Sequence, residues 1–186
     1  MGYRFHVKGE DMNLPIPHHL KGILLPVGEG NSEFRVHGSI SCECGCTVFS
    51  VFAFGKTEEA NLIVEQYEDD YSLVVKVKCV SCGKSHLLFD MSKHGWNGFV
   101  CHDGVSVPDE KLETWKCQEC GSDTHHVAIT IDSQGRADYI SELEAEITSG
   151  ESSKDDWTEA FEWISMELTC TNCKTCTERW VDLETM

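Results

Sequence analysis

Eleven cysteines are spread over the 186 residues, and most stand in tight groups. Cys79 and Cys82, Cys117 and Cys120, and Cys170 and Cys173 are each separated by two residues, while Cys42, Cys44 and Cys46 alternate. Thiolate sulfur is the soft ligand that Zn²⁺ takes in fours, in a tetrahedron with Zn–S near about 2.3 Å. Two cysteines on one tight turn supply half of such a shell. Glycine follows three of the turns, as Gly45, Gly83 and Gly121. Without a Cβ it lets the backbone aim its N–H groups at sulfur.

Four turns make two complete shells. Cys42, Cys44, Cys79 and Cys82 are the expected ligands of one structural Zn²⁺, and Cys117, Cys120, Cys170 and Cys173 those of a second. Matching Gly45 with Gly121 selects Cys42 and Cys44 at the first turn, although pairing either of them with Cys46 stays open. Cys46, Cys101 and Cys176 are then spare. Iron in a rubredoxin-like site fits less well, because the expected aromatic and proline companions are missing. Thiol redox chemistry favours a single Cys-x-x-Cys near a βαβ unit, which this sequence lacks. A catalytic zinc needs an open coordination position, and four cysteines per ion leave none.

The elements that must carry these turns are strands. One cysteine turn leads into a β-rich run, Thr47–Phe54, and a second run, Val74–Lys78, leads into the next turn. The order repeats with Thr124–Ile131 and Ile164–Thr169. Val75, Val77 and Cys79 alternate with Lys76 and Lys78, and Ile164, Met166 and Leu168 with Ser165, Glu167 and Thr169, the period of a half-buried strand. Phe34–Ile40 and Ser85–Phe89 are further candidate strands. The repeat predicts a mainly β chain with minor α, built as two tandem zinc ribbons. Its expected parts are an irregular arm (1–33), ribbon one (34–100), a linker (101–111) and ribbon two (112–186). Cys44 and Cys79 enclose 34 residues, but Cys120 and Cys170 enclose 49. The excess falls in an acidic insertion over about 138–162, where Tyr139–Ile147 reads as a short amphipathic helix with Ile140, Leu143 and Ile147 on one face.

Charge is polarised along the chain. The formal net charge is −17, with 13 acids against 9 bases up to residue 108 and 19 against 6 beyond it. Each zinc tetrathiolate would add a further −2. Attraction of the whole molecule to a phosphate backbone is therefore not expected. The N-terminus lacks the apolar core of a secretory signal, and no run approaches the roughly 20 apolar residues of a membrane span. A cytoplasmic location follows as an expectation, and there disulfides are rare and paired cysteines hold metal.

Three motifs resemble those of uncharacterised bacterial zinc-ribbon proteins. Those proteins carry Cys-x-Cys-Gly, Cys-x-x-Cys-Gly-Lys-x-His-x-Leu-Phe-Asp and His-Gly-Trp-Asn/Asp-Gly. The counterparts here are Cys42-Glu-Cys44-Gly, Cys79 through Asp90, and His94-Gly-Trp-Asn-Gly98. The resemblance covers about residues 30–105. It implies a ribbon fold and no activity.

Outside the metal shells, Trp96 between its glycines reads either as an exposed partner anchor or, preferably, as a turn residue covering a thin core. His18-His19 and His125-His126 read as ordinary structural histidines. Phosphate-binding loops and the serine-hydrolase, metalloprotease and deaminase motifs are all missing, so an enzyme is not expected. The expected function is a protein-interaction or regulatory module with purely structural zinc. A second reading makes it an acidic inhibitor or nucleic-acid mimic that fills a basic groove through Glu142, Glu144, Glu146, Asp155 and Asp156. A third is nucleic-acid binding by ribbon one, through Lys76, Lys78, Lys84 and Lys93.

Overall fold

A computed structural model describes residues 13–186; the first twelve residues of the expected arm lie outside the described part. The fold is mainly β. After a 3-10 turn at His18–Leu20 come β1 (Leu24–Pro26), β2 (Arg35–Ile40) and β3 (Phe49–Phe54). Two small hairpins follow, β4 (Lys56–Glu58) with β5 (Asn61–Ile63) and β6 (Glu65–Tyr67) with β7 (Asp70–Ser72). Then come β8 (Val74–Cys79), β9 (Ser85–Asp90), β10 (Glu113–Thr114), β11 (Thr124–Asp132), α1 (Arg136–Glu142), α2 (Glu144–Ser149), β12 (Trp163–Cys170) and β13 (Cys176–Glu184). None of the helices among the described residues is long and apolar enough to cross a membrane.

Alternation sets the strands. β12 buries Ile164, Met166, Leu168 and Cys170, and β11 buries His125, Val127, Ile129 and Ile131, while the residues between are half-exposed. Each such apolar side chain contributes about 1.5–3 kcal/mol on burial. Strands β3, β8 and β9 form one antiparallel meander and β11, β12 and β13 a second. The first meander carries the two hairpins between its first two strands. The second carries the helical acidic insertion at the same place.

The meanders are joined through exchanged strands. Phe49 and His125 hold the same place, opposite Cys79 and Cys170 respectively, and they also pair with each other. Beyond that point β2 pairs with β11, placing Ser39 opposite Ala128. On the other side β10 pairs with β3, placing Thr114 opposite Phe52. Ser39 and Thr114 each precede the first cysteine of their own turn by three residues, and Ala128 and Phe52 each follow the central pair by three. The strand leading into the first cysteine turn of each cluster therefore pairs with the other meander, about a local two-fold axis between Phe49 and His125. Segments 34–100 and 112–186 share one nine-stranded sheet and one core, which runs from Leu20 to Val181.

The acidic insertion makes a smaller core of its own. Tyr139, Leu143, Trp157 and Ala160 are buried, with Trp96, Phe99, Val100, Ile140 and Ile147 packed around them. Instead of one helix over 139–147, helical structure begins at Arg136 and is interrupted at Leu143 (φ −106°). It resumes to Ser149 and ends on Gly150, whose φ of 84° is left-handed. The most buried face is Tyr139 and Leu143, with Ile140 and Ile147 half-buried beside them.

Candidate metal centres

The cysteine turns share one hydrogen-bond pattern. In three of them the N–H four residues after the first cysteine donates to that cysteine's carbonyl: Gly83 to Cys79, Gly121 to Cys117 and Lys174 to Cys170. The first cysteine's own N–H donates five residues ahead, to Lys84, Ser122 and Thr175 respectively. The Cys42 turn is one residue shorter, and both bonds contract by one, Gly45 N–H to Cys42 and Cys42 N–H to Cys46. That contraction is why Cys-x-Cys serves there in place of Cys-x-x-Cys. All four turns close on a left-handed residue, Gly45, Gly83, Gly121 and Lys174.

The turns meet in two groups of four. Cys42, Cys44, Cys79 and Cys82 lie with all sulfurs within 4.8 Å of one another, and so do Cys117, Cys120, Cys170 and Cys173. The closest Sγ–Sγ distances are 3.5 Å for Cys42–Cys82, 3.6 Å for Cys44–Cys79, and 3.5 Å for both Cys117–Cys173 and Cys120–Cys170. A tetrahedron with metal–sulfur bonds of about 2.3 Å has edges of about 3.8 Å, so these spacings fit one tetrathiolate ion per cluster. They are far from the S–S bond length of about 2.05 Å, and all eleven cysteines are free. Cys46 stays outside the first group, its sulfur 3.4 Å from Val48 N. Cys101 and Cys176 are exposed and belong to neither group.

The protein's own groups favour only some of the thiolates. At Cys79 the backbone N–H groups of Cys82 and Ser81 outweigh burial and lower the thiol to about 6. Cys173 is lowered to about 6, chiefly by the Thr175 hydroxyl and backbone. At Cys42 the Cys44 backbone N–H favours ionisation, but burial and the three neighbouring thiols push the group up to about 12. Burial, partly offset by backbone N–H groups, likewise pushes Cys117 up to about 11. Ionising all four sulfurs of a cluster takes the charge of a cation at its centre, as ligand thiols require.

Groups around the first cluster tie its two turns together. His86 Nε2 lies 3.4 Å from Cys42 Sγ, placed to donate to a thiolate, and Lys84 pairs with Glu43 at 2.7 Å. Sequence reasoning offers Lys84 only as part of the basic stretch and gives Glu43 and His86 no role, although Lys84 and His86 stand in the quoted motif. In the second cluster neutral groups take that place: the Thr124 and Thr171 hydroxyls are 2.6 Å apart, and Thr175 Oγ1 is 3.3 Å from Cys173 Sγ.

The candidate partner residues do not form one array. Trp96 opens a single π-helical turn, Trp96–Val100, and is half-buried against the smaller core. Glu146 and Asp156 line a common groove. Asp155 is tied to Arg136 at 3.1 Å. Glu142 belongs to another acidic patch, where burial and then the charges of Glu142, Asp132, Asp138 and Glu184 raise the Glu162 carboxyl. Glu144 is exposed.

Of the four lysines of the expected basic stretch, Lys76, Lys84 and Lys93 are held by Asp109, Glu43 and Asp90. The histidine pairs join neither sulfur group, although His125 lies opposite Cys170 in the sheet. His19 stacks on His94 with centroids 3.8 Å apart, and His126 Nδ1 meets the Thr47 carbonyl at 2.9 Å.

Comparison with protein-family models, with curated proteins and with solved structures returned no match.

Proposed function

We propose that the chain is a protein-interaction module of two zinc ribbons, each closed around one structural zinc ion. The observation that carries this reading is the pair of four-thiol clusters. Four sulfurs complete a tetrahedral shell, so a bound zinc keeps no position for a water or a substrate and acts as a staple. Bound there, the ions would fix the ends of both meanders, and the fold would present its surface to a partner. The motif resemblance supports the ribbon assignment and carries no activity with it.

The acidic-mimic reading draws less support, because only Glu146 and Asp156 of its five carboxylates share a groove and Asp155 is tied to Arg136. Nucleic-acid binding by the first meander is weakened by the carboxylates already held on Lys76, Lys84 and Lys93.

Two measurements test the proposal together. Elemental analysis of the purified chain should find one zinc per cluster, and affinity capture from the native cell should recover a protein at stoichiometric yield. Metal-free chain that still melts cooperatively would refute the zinc staple. Loss of a catalytic turnover on chelation, with the fold intact, would replace the binding module by an enzyme.

A further inference from the structure

The π-helical turn and the acidic insertion enclose a groove of about 520 Å³, within the range of about 300–1,000 Å³ typical of ligand sites. Phe99, Val100 and Leu143 supply its apolar lining, and Glu146, Glu151 and Asp156 its carboxylates. Leu143 is buried and the two π-turn residues are half-buried, whereas Glu151 is exposed and Glu146 and Asp156 are half-exposed. None of the three carboxylates is in an ion pair among the described residues. The lysine of the groove, Lys93, is already neutralised by Asp90 at 2.5 Å, and His102 is its other basic group.

We propose that this groove is the docking surface of the module, and that its occupant is a partner-protein segment with an arginine or lysine next to an apolar side chain. The inference rests on the interaction-module reading and gives it a place and a chemistry. Asp156 accepts the Ser153 N–H at 3.0 Å, but no cation holds any of the three carboxylates among the described residues. Carboxylates without a countercharge beside low-dielectric walls attract positive charge, which selects the cation. The apolar lining selects a neighbouring hydrophobic side chain, whose burial supplies the part of the affinity that salt does not screen. Concavity separates this from mimicry: a mimic inserts its acids into a basic cleft, but acids that line a cleft receive an inserted group. The groove is walled by the π-helical turn on one side and by α2 and residues 151–156 on the other.

The test uses the metal-loaded full chain and a fluorescein-labelled hexapeptide of alternating arginine and leucine. Alternating arginine–serine and glutamate–leucine hexapeptides are compared with it. Anisotropy should show binding of the arginine–leucine peptide, weaker binding of arginine–serine, and none of glutamate–leucine. Amide shifts should change at Gly98, Phe99, Val100 and Glu151. Glu146→Gln with Glu151→Gln should weaken binding about tenfold, as should Phe99→Ala. Glu142→Gln with Glu144→Gln makes the same change in net charge outside the groove and should leave binding within about twofold.

Equal loss in both double variants, or equal binding of the leucine and serine peptides, would mean attraction to the net charge alone and overturn the groove. Lack of binding at low salt would overturn it too. Those results leave the module reading standing if a stoichiometric protein partner is captured equally by the wild type and by the Glu146→Gln, Glu151→Gln variant. Failure to capture any partner with the wild type refutes the module itself.

Discussion

Lys174 closes its cysteine turn in the place that Gly83 fills in the first meander, and both residues are left-handed, with φ of 64° and 75°. A side chain in that region costs about 1–2 kcal/mol, which glycine avoids. The Lys174 ammonium recovers a little by donating to the Thr171 carbonyl at 2.7 Å, on an exposed surface. Lys174→Gly should therefore stabilise the metal-loaded chain by about 0.5–1 kcal/mol. The check is the urea midpoint at constant slope; an unchanged or lower midpoint would show that the lysine contact compensates the strain.

The exchanged strands couple the two clusters. Ser39 leads to Cys42 but is held by Ala128 of the second meander, and Thr114 leads to Cys117 but is held by Phe52 of the first. Disordering one cluster must loosen the strand that delivers ligands to the other. Replacing Cys170 and Cys173 by serine should weaken zinc binding at Cys42, Cys44, Cys79 and Cys82 by roughly 5–150-fold, the usual span of coupling between sites. Competition with a chromogenic chelator measures it, and an unaltered affinity at the remaining cluster would rule out the coupling.

Acid should weaken the fold through the stacked imidazoles. Burial, and then the charge of His19, lower His94 from 6.5 to about 3, and burial lowers His19 as well. Between those values the unfolded chain holds a proton that the folded chain refuses. Stability is therefore complete above pH 6.5 and falls as pH drops, by up to about 1.4 kcal/mol per pH unit for His94. His94→Asn keeps an acceptor for the Asp90 N–H, which now donates to His94 Nδ1 at 3.0 Å. It should flatten the dependence between pH 6.5 and about pH 5 in urea titrations, while thiolate protonation acts equally on both proteins. Parallel curves would clear His94 of the effect.

Gly95 binds the π-helical turn to the C-terminus. Its φ is 73°, and a Cβ there would strike the side chain of Thr185. Thr185 in turn accepts from Asn97 N–H at 2.6 Å and donates through its own N–H to Glu162 at 2.7 Å. Gly95→Ala should cost about 2–4 kcal/mol from strain and overlap together. Adding Thr185→Gly should return the overlap part but not the backbone part. Thr185→Gly by itself removes the hydrogen bond from the Thr185 hydroxyl to the Phe161 carbonyl, so the cost of Gly95→Ala is compared in its presence and absence. An equal cost in both backgrounds, read from thermal melts, would show that the clash is not the cause.

What a reader of the sequence can see is what repeats locally. Ile164, Met166 and Leu168 mark their strand by period alone, and cysteine spacing marks both groups that the fold brings together. The pairing of Ser39 with Ala128 leaves no such mark, because the hydrogen-bonding edge of a strand is the same backbone whichever partner it meets. The hairpins of residues 56–72 leave no mark for a related reason. Three-residue strands with mostly exposed residues have no apolar alternation to read. The interruption at Leu143 and the groove beside it come from packing against Trp157 and the π-helical turn, contacts between residues far apart in the chain.

The crossing of Ser39 and Thr114 into opposite meanders has a consequence for the way the chain is made. As the ribosome delivers residues 34–100, β2 emerges with one long edge unpaired, because its neighbour β11 has not yet been synthesised. Either half cut out alone would lose its pairings with the other, and a nascent chain stalled before residue 124 would display open strand edges that invite aggregation.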